Sequence, residues 1–178
     1  ARGARRPKSP FQGKLDLFYA GDFSFTRSRQ SDLHALREVR LRETHSVIRQ
    51  DLGRLQQAAY AATFIEQVTE TETPLPGVYD LFREFLDFLC DGKPAPATVF
   101  TFELKLLREL GQSPDLDGSR LAPGTRKIAA ALTDGDWAAG GRLKLTGAQT
   151  GELRQFLHGF LTVHLGRLPQ GRAAALDA

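Results

Sequence analysis

Alternation of apolar and polar residues near the start of the chain predicts β-structure. Apolar residues take every second position of 15–19, residues 20–22 form a Gly-Asp turn, and the alternation resumes at 23–25. Period-two patterning around such a turn is typical of a hairpin. A further alternating stretch at 38–42 predicts a strand with one basic face, and residues 27–32 predict a polar loop. The apolar strand positions are Leu15, Leu17, Tyr19, Phe23, Phe25, Val39 and Leu41.

From about residue 46 the apolar residues recur every three or four positions, which predicts helices. The first helix ends at the acidic, threonine-rich run 70–74, because proline does not fit within a helix. The second follows Pro76 and closes at 91–94. The remaining expected helices cover residues 97–110, 124–132 and 149–165. The helix at 97–110 is apolar around much of its circumference, which is typical of a helix at the centre of a bundle.

Some finer expectations follow from the same pattern. The first helix should bury one apolar stripe, formed by Leu52, Leu55, Ala59, Ala62, Ile65 and Val68. Trp137 should lie in a loop between helices, either covering the edge of the core or contacting a partner protein. The tail at 166–178 is small and polar, so it should be frayed. The fold class is therefore α+β: a β module at 1–45, then an all-α domain at 46–178.

The charge of the chain is divided unevenly. The 178 residues carry a net charge of +3. Residues 1–54 contain 12 Lys/Arg and 6 Asp/Glu, whereas residues 55–178 contain 12 Lys/Arg and 15 Asp/Glu. Such an asymmetry favours a polyanionic partner for the first segment.

Other features of the composition favour the cytosol. No apolar run approaches the roughly 18 to 20 residues of a membrane-spanning helix, so no membrane association is expected. The start of the chain is basic instead of apolar, unlike a secretory signal. Cys90 is the single cysteine, which excludes an internal disulfide and favours a reducing compartment.

A cluster of cations at the start of the chain is the strongest candidate binding feature. Five cations and no acid occur within fourteen residues, and they are Arg2, Arg5, Arg6, Lys8 and Lys14. Cations along such a segment suit phosphates by charge, and arginine also by its forked donors. A solvated basic tail is the alternative. Among the nearby aromatic residues, Phe11 and Phe18 are the candidates for stacking on bases, while the others should be core.

Groups suited to catalysis do not converge in the sequence. His158 and His164 are six residues apart on one helix, unlike the spacing of four that would share a metal. Asp115 and Asp117 after a helix end are more typical of a turn than of a metal site. No phosphate-binding glycine loop, nucleophile motif or cysteine pair is present. The sequence thus predicts a protein that is not an enzyme.

Three segments carry a resemblance to a known family. Residues 1–9 (ARGARRPKS), residues 102–111 (FELKLLRELG) followed by 114–117 (PDLD), and residues 164–168 (HLGRL) resemble proteins of the RecO family of bacterial recombination mediators. The resemblance extends in order and spacing over essentially the whole chain. It implies that the β module is of the OB type.

The resemblance also implies a function. RecO-like proteins bind single- and double-stranded DNA and anneal complementary strands. They work with RecR to load RecA onto strands covered by single-strand-binding protein, whose acidic, Phe-ending tail they bind. An apolar groove flanked by cations in the helical region is expected to receive that tail. The protein is accordingly expected in the bacterial cytoplasm, at the nucleoid.

The sequence departs from the family pattern in two places. Family members usually carry about two further strands ahead of the basic segment. The OB-type module is therefore expected to be partial here, either because the barrel is incomplete or because the chain as given has lost its start. Many relatives have a four-cysteine zinc site directly after the PDLD segment, whereas residues 118–123 contain no cysteine. Because a structural zinc site needs four nitrogen or sulfur ligands, we expect no zinc and no other cofactor.

The sequence therefore leaves three hypotheses. In the first, the basic cluster holds the phosphates of one strand, and Arg27, Arg29, Arg40 and Arg42 extend the path. In the second, the chain is a protein-interaction adaptor that binds an acidic partner tail through its helical domain. In the third, Asp115 and Asp117 belong to a metal-dependent nuclease, which would require Mg²⁺-dependent cleavage.

Overall fold

The α+β class is confirmed in a computed structural model, which describes residue 6, residues 8–30 and residues 33–178. A two-stranded antiparallel sheet is followed by a 3₁₀ helix and seven α-helices within these ranges, consistent with a partial OB-type module before a helical region. The elements are β1 (Ala20–Thr26), β2 (Ala35–Glu43), the 3₁₀ helix (Ser46–Gln50), α1 (Leu52–Val68), α2 (Pro76–Asp91), α3 (Pro96–Glu109), α4 (Pro123–Asp134), α5 (Trp137–Arg142), α6 (Gly147–Leu165) and α7 (Arg172–Leu176).

The predicted turn at residues 20–22 is wrong, because these residues begin strand β1. The hairpin instead joins β1 to β2, with Phe23 opposite Val39. Gly21 lies opposite Leu41 beside an irregularity in the register, and a Cβ atom there would stand 2.6 Å from the carbonyl oxygen of Arg40. The glycine therefore allows a close approach of two strands and does not form a turn. Residues 14–19, expected as a strand, form turns and irregular chain.

Helix α3 runs through the centre of the helical region, as its sequence predicts. Its residues from Ala97 to Leu107 are all buried, and Gly111 ends the segment with a φ angle of 68°. Two of the buried residues, Glu103 and Lys105, are charged. Lys105 donates to the carbonyl oxygens of Gly135 at 2.6 Å and Thr133 at 3.2 Å, at the end of α4. Burial lowers the pKa of this lysine.

Helix α1 buries a different face from the expected one. Leu52 and Ala59 are exposed, whereas the buried residues are Gln57, Ala58, Tyr60, Ala61 and Phe64. Phe64 meets Phe102 of α3 edge-on, with 6.5 Å between ring centroids. The Gln57 amide donates to the carbonyl oxygens of Ala95 and Ala175. Both apolar and polar contacts with distant segments accompany this rotation of the helix, and an apolar stripe alone does not reveal them.

Two segments expected to be irregular are helical. Trp137 begins the short helix α5, for which the Asp136 side chain accepts a hydrogen bond from the Ala139 backbone N–H. The tail contains α7, whose Arg172 and Leu176 are buried. The expectation of a frayed tail is wrong, because Arg172 has an ionic partner in the core.

Helices α2, α4 and α6 lie where the spacing of apolar residues predicts them. The capping box of Thr146 and Gln149, in which each side chain bonds the other's backbone N–H, starts α6. None of the helices in the described ranges is long and apolar enough to span a bilayer.

Candidate nucleic-acid interface

The described part of the basic segment is a succession of turns. The Ser9 N–H donates to the Arg6 carbonyl at 2.9 Å, and the Lys14 N–H donates to the Phe11 carbonyl at 3.0 Å. The side chains of Arg6, Lys8 and Lys14 are exposed. Three predicted phosphate ligands therefore face solvent on the approach to β1. The other two, Arg2 and Arg5, lie outside the described residues.

The hairpin has the basic face that the alternation in β2 predicts. Val39 is buried while Arg40 and Arg42 are exposed. Arg42 is held by the Asp22 carboxylate, with Nε at 2.9 Å and Nη2 at 2.7 Å from Oδ2. Arg40 forms no side-chain hydrogen bond or ion pair with any described residue, so it is free to meet a ligand.

A polar concavity lies between the loop after β1 and the loop between α1 and α2. Its lining comprises Arg27, Ser28, Arg29, Gln30, His34, Thr71 and Glu72. Arg27 forms an ion pair with Glu72 across the concavity, with 2.7 Å between Nη2 and Oε1. The His34 ring stacks on Phe25, with centroids 5.4 Å apart. The loop thus presents two arginines and an imidazole to one open surface.

Exposed aromatic rings on the hairpin differ from the predicted ones. Phe11 and Phe18 are half-buried, whereas Phe23 and Phe25, expected in the core, are 44% and 57% exposed. The two-stranded sheet buries few of its side chains, because no element in the described ranges covers both of its faces. Phe18 packs edge-on against Phe82 of α2. The candidates for stacking on bases are therefore Phe23 and Phe25.

Two further residues of this region were missed at the level of sequence. Arg37 is an exposed cation on β2, and its Nε donates to Thr26 Oγ1 at 2.8 Å. His45 is buried at the end of β2, with Nδ1 2.7 Å from the Phe18 carbonyl oxygen and Nε2 3.0 Å from Asp87 Oδ1. It joins the hairpin to α2. Arg37 could have been predicted from its position within a basic strand. The contact of His45 could not, because its partner Asp87 lies 42 residues away in sequence.

An apolar groove of about 210 Å³ lies beside this junction, between the start of β1 and α2. Phe18 and Phe23 line one side of the groove, and Tyr79 and Phe82 line the other. Arg83 stands at its edge, 3.6 Å from Asp80 and about half exposed. The arrangement suits an apolar side chain accompanied by an anionic group.

Candidate metal ligands do not come together. Asp115 Oδ1 accepts the backbone N–H of Asp117 at 3.0 Å, so the pair forms a turn. His164 stacks on Phe160 and contacts its carbonyl oxygen through Nδ1. Across the described ranges, no group of three or more His, Cys, Asp and Glu side chains could hold a metal ion. The geometry offers no support for the nuclease hypothesis.

The sequence is similar to that of known DNA repair proteins. The family model described as "Recombination protein O C terminal" matches residues 49–119. The DNA repair protein RecO of Anaeromyxobacter sp. (strain K) is 30% identical, over 94% of this chain and 79% of that protein. The RecO of Exiguobacterium sibiricum is 33% identical over 66% of this chain and 47% of its own length. The RecO of Listeria monocytogenes serotype 4b (strain F2365) is 32% identical over 66% and 45%. No solved structure matches the chain.

Proposed function

The chain belongs to the RecO family of DNA repair proteins and takes part in DNA repair and recombination, and we propose that it does so as a DNA-binding mediator that catalyses no reaction. In this proposal it binds single- and double-stranded DNA and anneals complementary strands. It works with RecR in the bacterial cytoplasm to load RecA onto strands covered by single-strand-binding protein.

The observation that carries the proposal is a set of exposed cations on the hairpin and on the turns that lead into it. The described members are Arg6, Lys8, Lys14, Arg27, Arg29, Arg40 and Arg42. Arg2 and Arg5 lie outside the described residues, and we include them in the proposed set because of their place in the sequence. Each phosphate that a cation neutralises releases a condensed counterion, so binding should weaken steeply with salt.

Annealing follows from the same charges. Two complementary strands repel each other through their phosphates, and a surface that neutralises both lowers that repulsion. The rings of Phe23 and Phe25 offer stacking surfaces for unpaired bases, which contributes about 1–3 kcal/mol per base in proteins that bind single strands. Neither step makes or breaks a covalent bond, so side chains that position phosphates suffice.

A triple alanine variant of Arg5, Arg6 and Lys8 tests the proposal. Binding to a fluorescent single-stranded oligonucleotide is measured by anisotropy between about 50 and 200 mM salt. We expect weaker binding and a salt slope reduced by about 2, since each lost contact with single-stranded DNA removes about 0.7. Unchanged affinity and slope would show that these cations do not hold DNA.

A matched control keeps the loss of charge but changes its place. Arg120, Lys127 and Lys144 are exposed cations of the helical region, and none forms an ion pair with another described residue. Replacing these three with alanine should leave the slope nearly unchanged. A loss equal to that of the first variant would show that only net charge matters.

The apolar groove between β1 and α2 supports the second candidate function, binding of a partner tail. Its aromatic lining suits the Phe side chain of a single-strand-binding-protein tail, and Arg83 suits the carboxylates. Tyr79→Ser removes an exposed ring and should weaken binding of an acidic, Phe-ending peptide. Val163→Ser, which changes an exposed residue of α6, should not. Equal peptide affinity in both variants would reject the groove as the tail site.

A further inference from the structure

An ion pair links the loop after β1 to the acidic loop that precedes α2. Arg27 Nη2 lies 2.7 Å from Glu72 Oε1, although 45 residues separate them in sequence. Glu72 has a φ angle of 63°, in the left-handed region that residues other than glycine rarely adopt. The acidic loop therefore turns at the residue whose carboxylate holds Arg27.

The pair is exposed and stands at the edge of a surface suited to phosphates. The side chains of Arg27 and Glu72 are 69% and 68% exposed, so the contact adds little to folding stability. Arg29 lies in the same concavity and forms no ion pair with another described residue. His34 adds two ring nitrogens beside it. Among the described residues that line this surface, Glu72 is the acid, and the other ionisable side chains are Arg27, Arg29 and His34.

We propose that the Glu72 carboxylate binds Arg27 at the place where a DNA phosphate would bind, and that DNA competes with Glu72 for this arginine. The inference rests on the proposed DNA binding and adds a regulatory contact within the same site. A carboxylate and a phosphodiester are both attracted by the charge of a guanidinium and both accept its hydrogen bonds, so they compete for Arg27 and, at Nη2, for the same donor. The acidic loop thereby lowers the affinity for DNA.

The competition gives a measurable signature. While Glu72 neutralises Arg27, this arginine contributes less to the release of counterions from DNA. Without the carboxylate, Arg27 adds one phosphate contact, so affinity rises and its dependence on salt becomes steeper. A bulk change of charge would also raise affinity, but it would not depend on Arg27.

Four variants separate these effects. Glu72→Gln keeps the shape of the side chain and removes its charge. Glu70→Gln removes the same charge two residues away, at an exposed position with no hydrogen bond or ion pair to another described residue. Arg27→Gln and the double variant of Arg27 and Glu72 complete a cycle. All are compared with the wild type in single-stranded DNA binding across salt, and by thermal unfolding.

We expect Glu72→Gln to bind DNA about threefold to tenfold more tightly at low salt, with a slope steeper by at most about 0.7. Glu70→Gln should change affinity less, and the effect of Glu72→Gln should vanish in the Arg27→Gln background. An unchanged affinity, or an equal gain in both backgrounds, overturns this inference alone. A wild-type protein that binds no DNA overturns the proposed function and this inference with it.

Discussion

Arg172 and Glu103 form a two-point ion pair in the interior of the protein. Arg172 Nε donates to Glu103 Oε1 at 2.6 Å, and Nη2 donates to Oε2 at 2.9 Å. The two side chains are 5% and 0% exposed. Burial alone would lower the pKa of Arg172, but the hydrogen bonds and charge of Glu103 outweigh it and raise that pKa. The pair attaches the short helix α7 to the central helix α3.

The first prediction concerns this pair. Arg172→Met leaves the Glu103 carboxylate buried without its cation, so the free energy of unfolding should fall by about 3–5 kcal/mol. Arg108→Met breaks the exposed pair with Asp134, whose side chains are 45% and 75% exposed, and should lose under about 1 kcal/mol. Urea unfolding measures both. Equal losses would contradict a structural role of the buried pair.

Tyr60 gives the second prediction, at alkaline pH. Its hydroxyl donates to Glu103 Oε1 at 2.5 Å, and burial together with the charge of Glu103 raises its pKa well above 10.0. Above pH 10 the unfolded chain releases this proton while the folded chain keeps it. Folding stability should therefore fall by about 1.4 kcal/mol per pH unit from this group alone.

Tyr60→Phe isolates that contribution. At pH 8 the variant should be less stable by about 1–2 kcal/mol, because the Glu103 carboxylate loses a donor. Above pH 10 the unfolded wild-type chain is stabilised by ionisation of its tyrosine, whereas the variant has no phenol to ionise. The difference in the free energy of unfolding between the two proteins should therefore shrink. Urea unfolding from pH 8 to pH 11 follows it. A difference that stays constant would show that Tyr60 does not titrate differently on folding.

The third prediction tests the close approach of the strands at Gly21. A Cβ atom there meets the Arg40 carbonyl oxygen at 2.6 Å, so Gly21→Ala should push the strands apart and speed amide exchange in β1 and β2. Gly151 of α6 has no atom within 4 Å of such a Cβ, so Gly151→Ala should stabilise the protein by about 0.5–1 kcal/mol. Unaltered exchange in the hairpin of Gly21→Ala would show that the register there is wrong.

Local pattern predicted the elements whose own sequence has a clear apolar periodicity. Helix α3 is surrounded by other helices, and its continuous apolar sequence showed that. The prediction of a turn at Gly21 was wrong because a glycine suits both a turn and a close approach of two strands. Only the position of the partner strand shows which of the two applies. The prediction of a frayed tail was wrong because it also depended on a distant partner: Glu103, which holds Arg172, lies 69 residues away in sequence.

The candidate site divides in the same way. Exposed cations such as Arg40 follow from composition and alternation, because nothing distant is needed to place them at the surface. Whether a cation is already paired depends on the tertiary fold. The link between Arg27 and Glu72 joins two loops that no spacing rule relates, and the junction at His45 is of the same kind.

The final prediction compares a paired arginine with an unpaired one. Arg42 is held by Asp22 at 2.7 Å, whereas Arg29 forms no ion pair with any residue in the described part of the chain. Asp22 already neutralises Arg42 and occupies its Nε and Nη2, so Arg29 should contribute more to DNA binding. Arg29→Gln should weaken single-stranded DNA binding about threefold to tenfold at low salt and reduce the salt slope by about 0.7, with a smaller change for Arg42→Gln. Anisotropy titrations across salt measure both, and a larger loss in Arg42→Gln would reverse this order and show that Asp22 presents Arg42 to the DNA.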